Sequence, residues 1–412
     1  MIKHNLRNQC RICSSKNLKL ILDLGLQPPA NSLLEKNHKN KKEKKFPLRL
    51  FICKDCYLVQ LLDIVKKESL FKQYLYMTGA SQPSLNHFSQ YAKDIFDKYL
   101  HKFQDPLIIE IGSNDGSLLN EFKKFNTKII GIEPATNLAE IANKKNILTI
   151  NSFFNQKLAK ELAKNKSEII VIANNVVGHI DDLDELILGV KLLIKNNGIF
   201  ILEVPYLIDL IKNLEFDTIY HEHLSYFSIT PIIQWLKKYN LHIFHIEKQK
   251  VHGGSIRVFI CSAQFLKQRK SVQKFLKNEL DYGINKMQLY ENFSKNVINL
   301  KFELIKKIQN LKPKNIIFGY GAPAKGNVLL NFCEIDSKIL DYIIDTTPLK
   351  QGKLSPGTHI PIFHPDKILN LGKNHVALLL AWNYKSDIIK KEKKFIKQGG
   401  KFLIPIPKPK II

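Results

Sequence analysis

The sequence predicts a three-part α/β protein, and three observations carry that reading. Two cysteine pairs fall within residues 1–72, a loop-rich stretch short on long helical periods. Residues 73–245 alternate short apolar runs with amphipathic stretches, which is the pattern of a doubly wound sheet. Residues 246–412 begin with a lysine-rich helical stretch near 264–310 and then resume strand-like runs, so a second, smaller α/β unit is expected.

Each part has its own local justification. The middle runs are 107–111, 128–132, 169–173 and 199–204, rich in Ile and Val as strands buried on both faces should be. Segments 137–145 and 182–195 between them carry helical periodicity. The later runs are 315–318, 342–344 and 376–380, and the tail Pro405-Ile-Pro407-Lys-Pro409 cannot continue a helix. There is no solenoid-type repeat.

The chain has 412 residues, 44% hydrophobic and 24% charged, which is globular composition and excludes a disordered protein. No stretch reaches the roughly 18 apolar residues of a membrane helix. The start Met1-Ile2-Lys3-His4-Asn5 has no apolar run behind its charge, so no leader and a cytoplasmic location are expected. The net charge of +26 suggests nucleic acid at first sight. Only five of the 63 basic residues are Arg, however, and base readout and bidentate phosphate contacts favour Arg. No nucleic-acid or membrane partner is expected, and the run 36–45 reads as a solvated loop.

Cys10-x2-Cys13 and Cys53-x2-Cys56 are the strongest local signal. Two residues between thiolates turn both sulfurs inward on one knuckle, and four thiolates close a tetrahedral shell, the donor set of a structural Zn2+. The alternatives are four unliganded thiols or a redox pair, and a redox motif needs one pair rather than two. The 39-residue gap is tolerable because closure cost grows only logarithmically.

Glu110-Ile-Gly112-Ser-Asn114-Asp115-Gly116 is an apolar strand entering a glycine-rich turn ahead of a helix. Such turns bring backbone N–H groups close to a ligand. Glu133 ends the next strand, where an acid commonly bonds ribose hydroxyls. The spacing departs from G-x-G-x-x-G and resembles the E-x-G-x-x-x-G form of class I S-adenosylmethionine-dependent methyltransferases. Asn174 and Asn175 follow the third run, near the methionine end expected for that cofactor. The bland alternative is a ligand-free turn.

A more specific resemblance begins at Ile219-Tyr220-His221-Glu222-His223-Leu224-Ser225-Tyr226-Phe227-Ser228. With the cysteine pairs, Gln27-Pro-Pro29-Ala-Asn31, Glu110–Gly116, His252-Gly253-Gly254-Ser255-Ile-Arg257 and Gly319-Tyr-Gly321-Ala-Pro-Ala-Lys325-Gly326-Asn327, it covers nearly the whole chain in order. The chain resembles the zinc-containing nucleotide-sugar C-methyltransferases that act at C-3 of 4-keto deoxysugars. Two small departures touch the knuckles: Ser14 and Tyr57 stand where Gly is usual.

The residue types fit the chemistry this resemblance implies. A sulfonium methyl is an electrophile, so the sugar carbon must become a nucleophile by losing a proton beside the ketone. That needs a base near the carbon and a donor near the oxygen. By resemblance the active-site positions are His223, Tyr220, Glu222 and His179. His223 is taken as base with Glu222 orienting or polarising it, and Tyr220 and His179 at the keto oxygen or in a proton relay. The reverse assignment, with Tyr220 as base, stays open. His221 alternates away and reads as structural, and a buried hydrogen-bonded cluster is the competing interpretation of the whole segment.

The resemblance further implies that Tyr76, in the linker from the first part, lies over the cofactor. It also implies that the last part holds the nucleoside diphosphate through Gly321, Lys325 and Arg257. The chain is accordingly expected to be a methyltransferase with S-adenosylmethionine and structural Zn2+ as cofactors. Its expected partner is a nucleoside-diphosphate 4-keto-6-deoxysugar, and its state a monomer or weak homo-oligomer. The rivals are O- or N-methylation of a similar sugar, and a non-catalytic sugar-nucleotide-binding homologue.

Overall fold

A computed structural model describes residues 4–38, 43–71, 77–80, 82–164 and 167–412. The first part is built on an antiparallel sheet of Leu18–Gln27, Phe46–Cys53 and Val59–Leu61, completed by the short strand Ser225–Tyr226. That fourth strand comes from the middle of the chain and immediately follows the Tyr220–His223 segment. It pairs Ser225 with Gln60 and Tyr226 with Val59.

The central sheet has seven strands. In chain order they are Pro106–Ile111, Lys128–Ile132, Thr149–Ile150, Glu168–Asn174, Ile199–Pro205, Leu241–Gln249 and Ser255–Ser262. Their spatial order is third, second, first, fourth, fifth, seventh, sixth. The first five run parallel and the seventh is antiparallel to the fifth. The first four expected runs therefore became strands within a residue or so of their expected ends. Residues such as Ile109, Val171 and Phe200 are fully buried, as strands sandwiched between helices require.

The expected boundary at 245 falls inside Leu241–Gln249. The hairpin closing the sheet and the helix Lys270–Tyr282 packed beside it belong with the central unit. Thus His252–Ser255 is the tip of a hairpin within the central sheet. Its glycines are required there: a Cβ on Gly253 or Gly254 would meet the carboxylates of Glu215 or Asp209.

The last unit is a six-stranded sheet, with Ile316–Tyr320, Ile343–Ile344, Ile362–Phe363, His375–Leu379 and Lys401–Ile404 parallel and Lys410–Ile411 antiparallel at one edge. Its core is continuous with that of the first part, joining Leu22 and Leu50 to Phe318 and Leu329, with Phe216 and Ile219 included. Lys353–Leu354 also pairs with Leu34–Glu35 of the first part. The stretch leading into Tyr220 is therefore gripped from two sides. No described helix is long and apolar enough to cross a membrane.

Candidate active site

The four Cys10, Cys13, Cys53 and Cys56 sulfurs lie within 4.8 Å of one another, and none is in a disulfide. Cys10 and Cys56, and Cys13 and Cys53, approach to 3.4 Å. The two knuckles fold alike. Ser14 N–H donates to Cys10 O and Tyr57 N–H to Cys53 O, and both residues take positive φ, 59° and 63°. This left-handed geometry is the reason glycine is favoured at both positions. Four soft donors converging at this spacing fit a tetrahedral ion at about 2.3 Å from each sulfur.

The glycine-rich turn is shaped by two left-handed glycines, Gly112 (φ 71°) and Gly116 (φ 75°), with Asn114 also at positive φ. A Cβ on Gly112 would sit 2.8 Å from Val176. Glu133 accepts from the Asn114 and Ala135 N–H groups, both at 2.8 Å, so it ties the second strand's end to the turn. Thr78, in the linker, donates to the Asn114 and Asp115 side chains, so that segment docks on the turn. Tyr76 lies outside the described residues.

Several polar atoms around this turn are buried without a hydrogen-bond partner among the described residues: Glu110 Oε2, Ser113 Oγ, Asn174 Nδ2 and Asn175 Oδ1. Burial, reinforced by the Asp115 and Glu133 charges, pushes the Glu110 carboxyl far above its ordinary range. Buried polar atoms are normally paired. A cluster of donors and acceptors at the carboxyl ends of the first and fourth strands fits a polar cofactor such as S-adenosylmethionine.

The turn after the fourth strand joins this pocket to the second cluster. Val176 packs on Gly112, Gly178 O accepts from Leu224 N–H at 2.7 Å, and His179 follows. The His179 and His223 rings meet edge to face at 4.8 Å, and the Tyr220 and His223 rings lie 3.9 Å apart. His179, hemmed in by Phe71 as well, is held at a pKa of about 4 by withdrawal from water and stays neutral at pH 7.

His223 Nδ1 lies 2.8 Å from Thr218 O. A carbonyl only accepts, so Nδ1 carries the hydrogen and Nε2 of the neutral ring presents its lone pair. This partner is a backbone carbonyl, which fixes the tautomer of the ring. Glu222 accepts from Asn31 Nδ2 at 3.1 Å, while its Oε2 is buried without a hydrogen-bond partner among the described residues. Burial pushes its carboxyl up to about 7. His221 is buried, donating to Pro47 O from the far side of the segment, in keeping with a structural role.

The last unit reaches the same segment. Trp382 Nε1–H donates to Asp217 at 2.6 Å, one residue before Thr218, and Lys325 lies over the Trp382 ring at 4.5 Å. Gly321 takes φ 83° in the turn, where Ala322 N–H donates to Asp345.

Arg257 is a correction to the sequence expectation. It sits on the seventh central strand, 1% exposed, bound to Glu203 at 2.8 Å and stacked on Tyr91 at 3.6 Å. Its charge is spent on a buried carboxylate, so no contact with phosphate is assigned to it. Its place in the apolar run 256–261 was the available sign of burial. Thr218, Trp382 and Asp217 were missed because nothing local marks them.

A four-thiolate zinc lobe, a class I sheet with its cofactor turn, and a polar cluster beside that turn define a zinc-containing S-adenosylmethionine-dependent methyltransferase. Family models match residues 10–71 as a zinc binding domain, 85–246 as a methyltransferase domain and 250–407 as a C-methyltransferase C-terminal domain. The C-methyltransferase NovU of Streptomyces niveus is 33% identical over 411 residues, spanning 98% of this chain and 97% of NovU. The chain belongs to this family of C-methyltransferases.

Solved structures with a likeness include magnesium protoporphyrin IX methyltransferase of Synechocystis PCC 6803 with bound S-adenosylmethionine. It is 13% identical, covers 44% of this chain and 81% of its own, and has a TM-score of 0.33. An Archaeoglobus fulgidus S-adenosylmethionine-dependent methyltransferase is 19% identical, covers 39% and 72%, and has a TM-score of 0.32. Likenesses this distant add nothing to the family assignment.

Proposed function

We propose that the chain methylates the carbon beside the ketone, C-3, of a nucleoside-diphosphate 4-keto-6-deoxysugar through an enolate. The reading is carried by one observation: His223, Tyr220 and His179 stack together one short loop away from Gly112, and His223's tautomer leaves Nε2 as a proton acceptor.

In this reading S-adenosylmethionine, held by Glu110, Gly112, Asn114, Gly116, Glu133, Asn174 and Asn175, supplies the methyl electrophile. His223 Nε2 takes the proton from the sugar carbon, and the C–H electron pair moves into the enolate. The Tyr220 hydroxyl and the neutral His179 ring stabilise the developing oxyanion by donating to it. The enolate carbon would take the methyl as its bond to the cofactor's sulfur broke, and the proton stays on His223. Glu222, whose buried carboxyl is pushed up to about 7, would take that proton on for release. Zn2+ on the four cysteines is structural. The last unit holds the nucleoside diphosphate, with Lys325 and the Gly321 turn at its phosphates.

The test is a panel of thymidine-, cytidine- and guanosine-linked 4-keto-6-deoxyhexoses, read by the mass gain of one methylene. Solvent deuterium should enter beside the ketone with wild type and be lost in His223→Ala. Methylation without such exchange would favour O- or N-transfer and overturn the enolate.

A further inference from the structure

We propose that Arg11, lying between zinc ligands Cys10 and Cys13, is a positioning residue for catalysis that clamps the loop carrying His179 to the segment carrying His223. The proposal rests on the functional reading above for the role of those two histidines.

The contacts are specific. Arg11 is 2% exposed. Its Nε donates to Asp181 Oδ1 at 2.9 Å, two residues beyond His179. Its Nη1 reaches Leu224 O at 3.3 Å, one residue beyond His223, and Gln60 Oε1 at 3.2 Å, and also bonds Leu61 O. The guanidinium thus reaches three chain segments at once: the loop after the fourth central strand, the catalytic segment and a strand of the zinc lobe. The backbone reinforces the same junction. Leu224 N–H donates to Gly178 O, and Leu61 N–H donates to Leu224 O at 2.9 Å. A buried guanidinium is costly unless it is paired, so the fixed geometry of its Nε and Nη1 bonds selects one arrangement of these segments, while Nη2 is buried without a hydrogen-bond partner among the described residues. The zinc knuckle holds the backbone of Arg11, so the metal lobe sets where the fork points. The edge-to-face contact of His179 and His223 is the geometry this clamp preserves.

Lysine keeps the charge and loses the fork, so Arg11→Lys is the test. The first measurement needs no substrate: 15N-histidine spectra of the zinc-loaded protein. The His179 and His223 resonances, identified from their own variants, should move while those of His87, His242 and His375 stay. Zinc content should stay at one per chain, and S-adenosylmethionine affinity within about twofold. With a ketosugar that turns over, kcat should fall about ten- to a hundredfold with KM nearly unchanged, as a misplacement near 1 Å produces. Unmoved histidine resonances, kcat within twofold of wild type, or activity falling only in step with zinc loss would each overturn the clamp. Should Arg11→Lys not fold, Asp181→Asn, on a side chain 40% exposed, carries the same readouts with an expected kcat loss of about three- to tenfold. His223→Ala separates the two ideas. If it turns over normally the functional reading fails, whereas a dead His223→Ala beside a normal Arg11→Lys sinks the clamp alone.

Discussion

Glu222 offers a perturbation whose sign and size follow from its surroundings. The carboxyl is 1% exposed, accepts from the Asn31 side chain, and is pushed by burial from its ordinary 4.5 up to about 7. Its folded-state pKa is thus raised above the unfolded value. The folded state holds its proton more tightly, so the favourable contribution is complete below about pH 4.5 and disappears as pH rises through about 7. Above that the ionised, buried carboxylate penalises folding by about 3 kcal/mol. Glu222→Gln keeps the acceptor for Asn31 and removes the charge. The variant should therefore melt several degrees higher than wild type at about pH 8.5, with the gain vanishing at about pH 5, where both side chains are neutral. Melting curves at the two pH values, read side by side, cancel effects unrelated to this titration. Methyl transfer should meanwhile fall by at least about a hundredfold, because the amide cannot exchange a proton. A gain of equal size at both pH values, or a variant less stable than wild type at the higher pH, would refute the reasoning.

Three other outcomes are expected. Ser14→Gly and Tyr57→Gly, at φ 59° and 63°, should each stabilise the zinc lobe by about 0.5–1 kcal/mol, measured as resistance to a chelator during thermal melting. Arg257→Ala should destabilise the fold by about 3–5 kcal/mol by leaving the buried Glu203 carboxylate with the His87 ring in place of a guanidinium, whereas a phosphate contact would raise KM for the sugar nucleotide with no change in melting. Gly112→Ala, which would force a Cβ to 2.8 Å from Val176 at φ 71°, should weaken S-adenosylmethionine binding at least tenfold by calorimetry while zinc content holds.

Much of the architecture was legible because it is local. Runs such as 107–111 and 128–132 are mostly apolar, as doubly buried strands must be, and their strands end within a residue of the runs. Knuckle spacing and glycine placement are equally local, so the cysteine cluster and the glycine turn were readable. The expected boundary at 245 falls within the hairpin 241–262 because an antiparallel pair closing a parallel sheet has no period that distinguishes it from the start of a new unit. Arg257 was misread for a related reason: a cation's sequence does not name its counter-ion, and Glu203 lies 54 residues away.

The sequence by itself determined the fold class, the metal donors, the cofactor turn and the identities of the polar residues at 220–223, because each depends on residue type and short spacing. Only the tertiary structure decided what those residues face. It brought Asn31 to Glu222 across 191 residues, Arg11 to Leu224 across 213, and Trp382 to Asp217 across 165. Contacts of that separation form when three buried apolar surfaces find their partners, and their polar pairing is fixed by packing that no local pattern records.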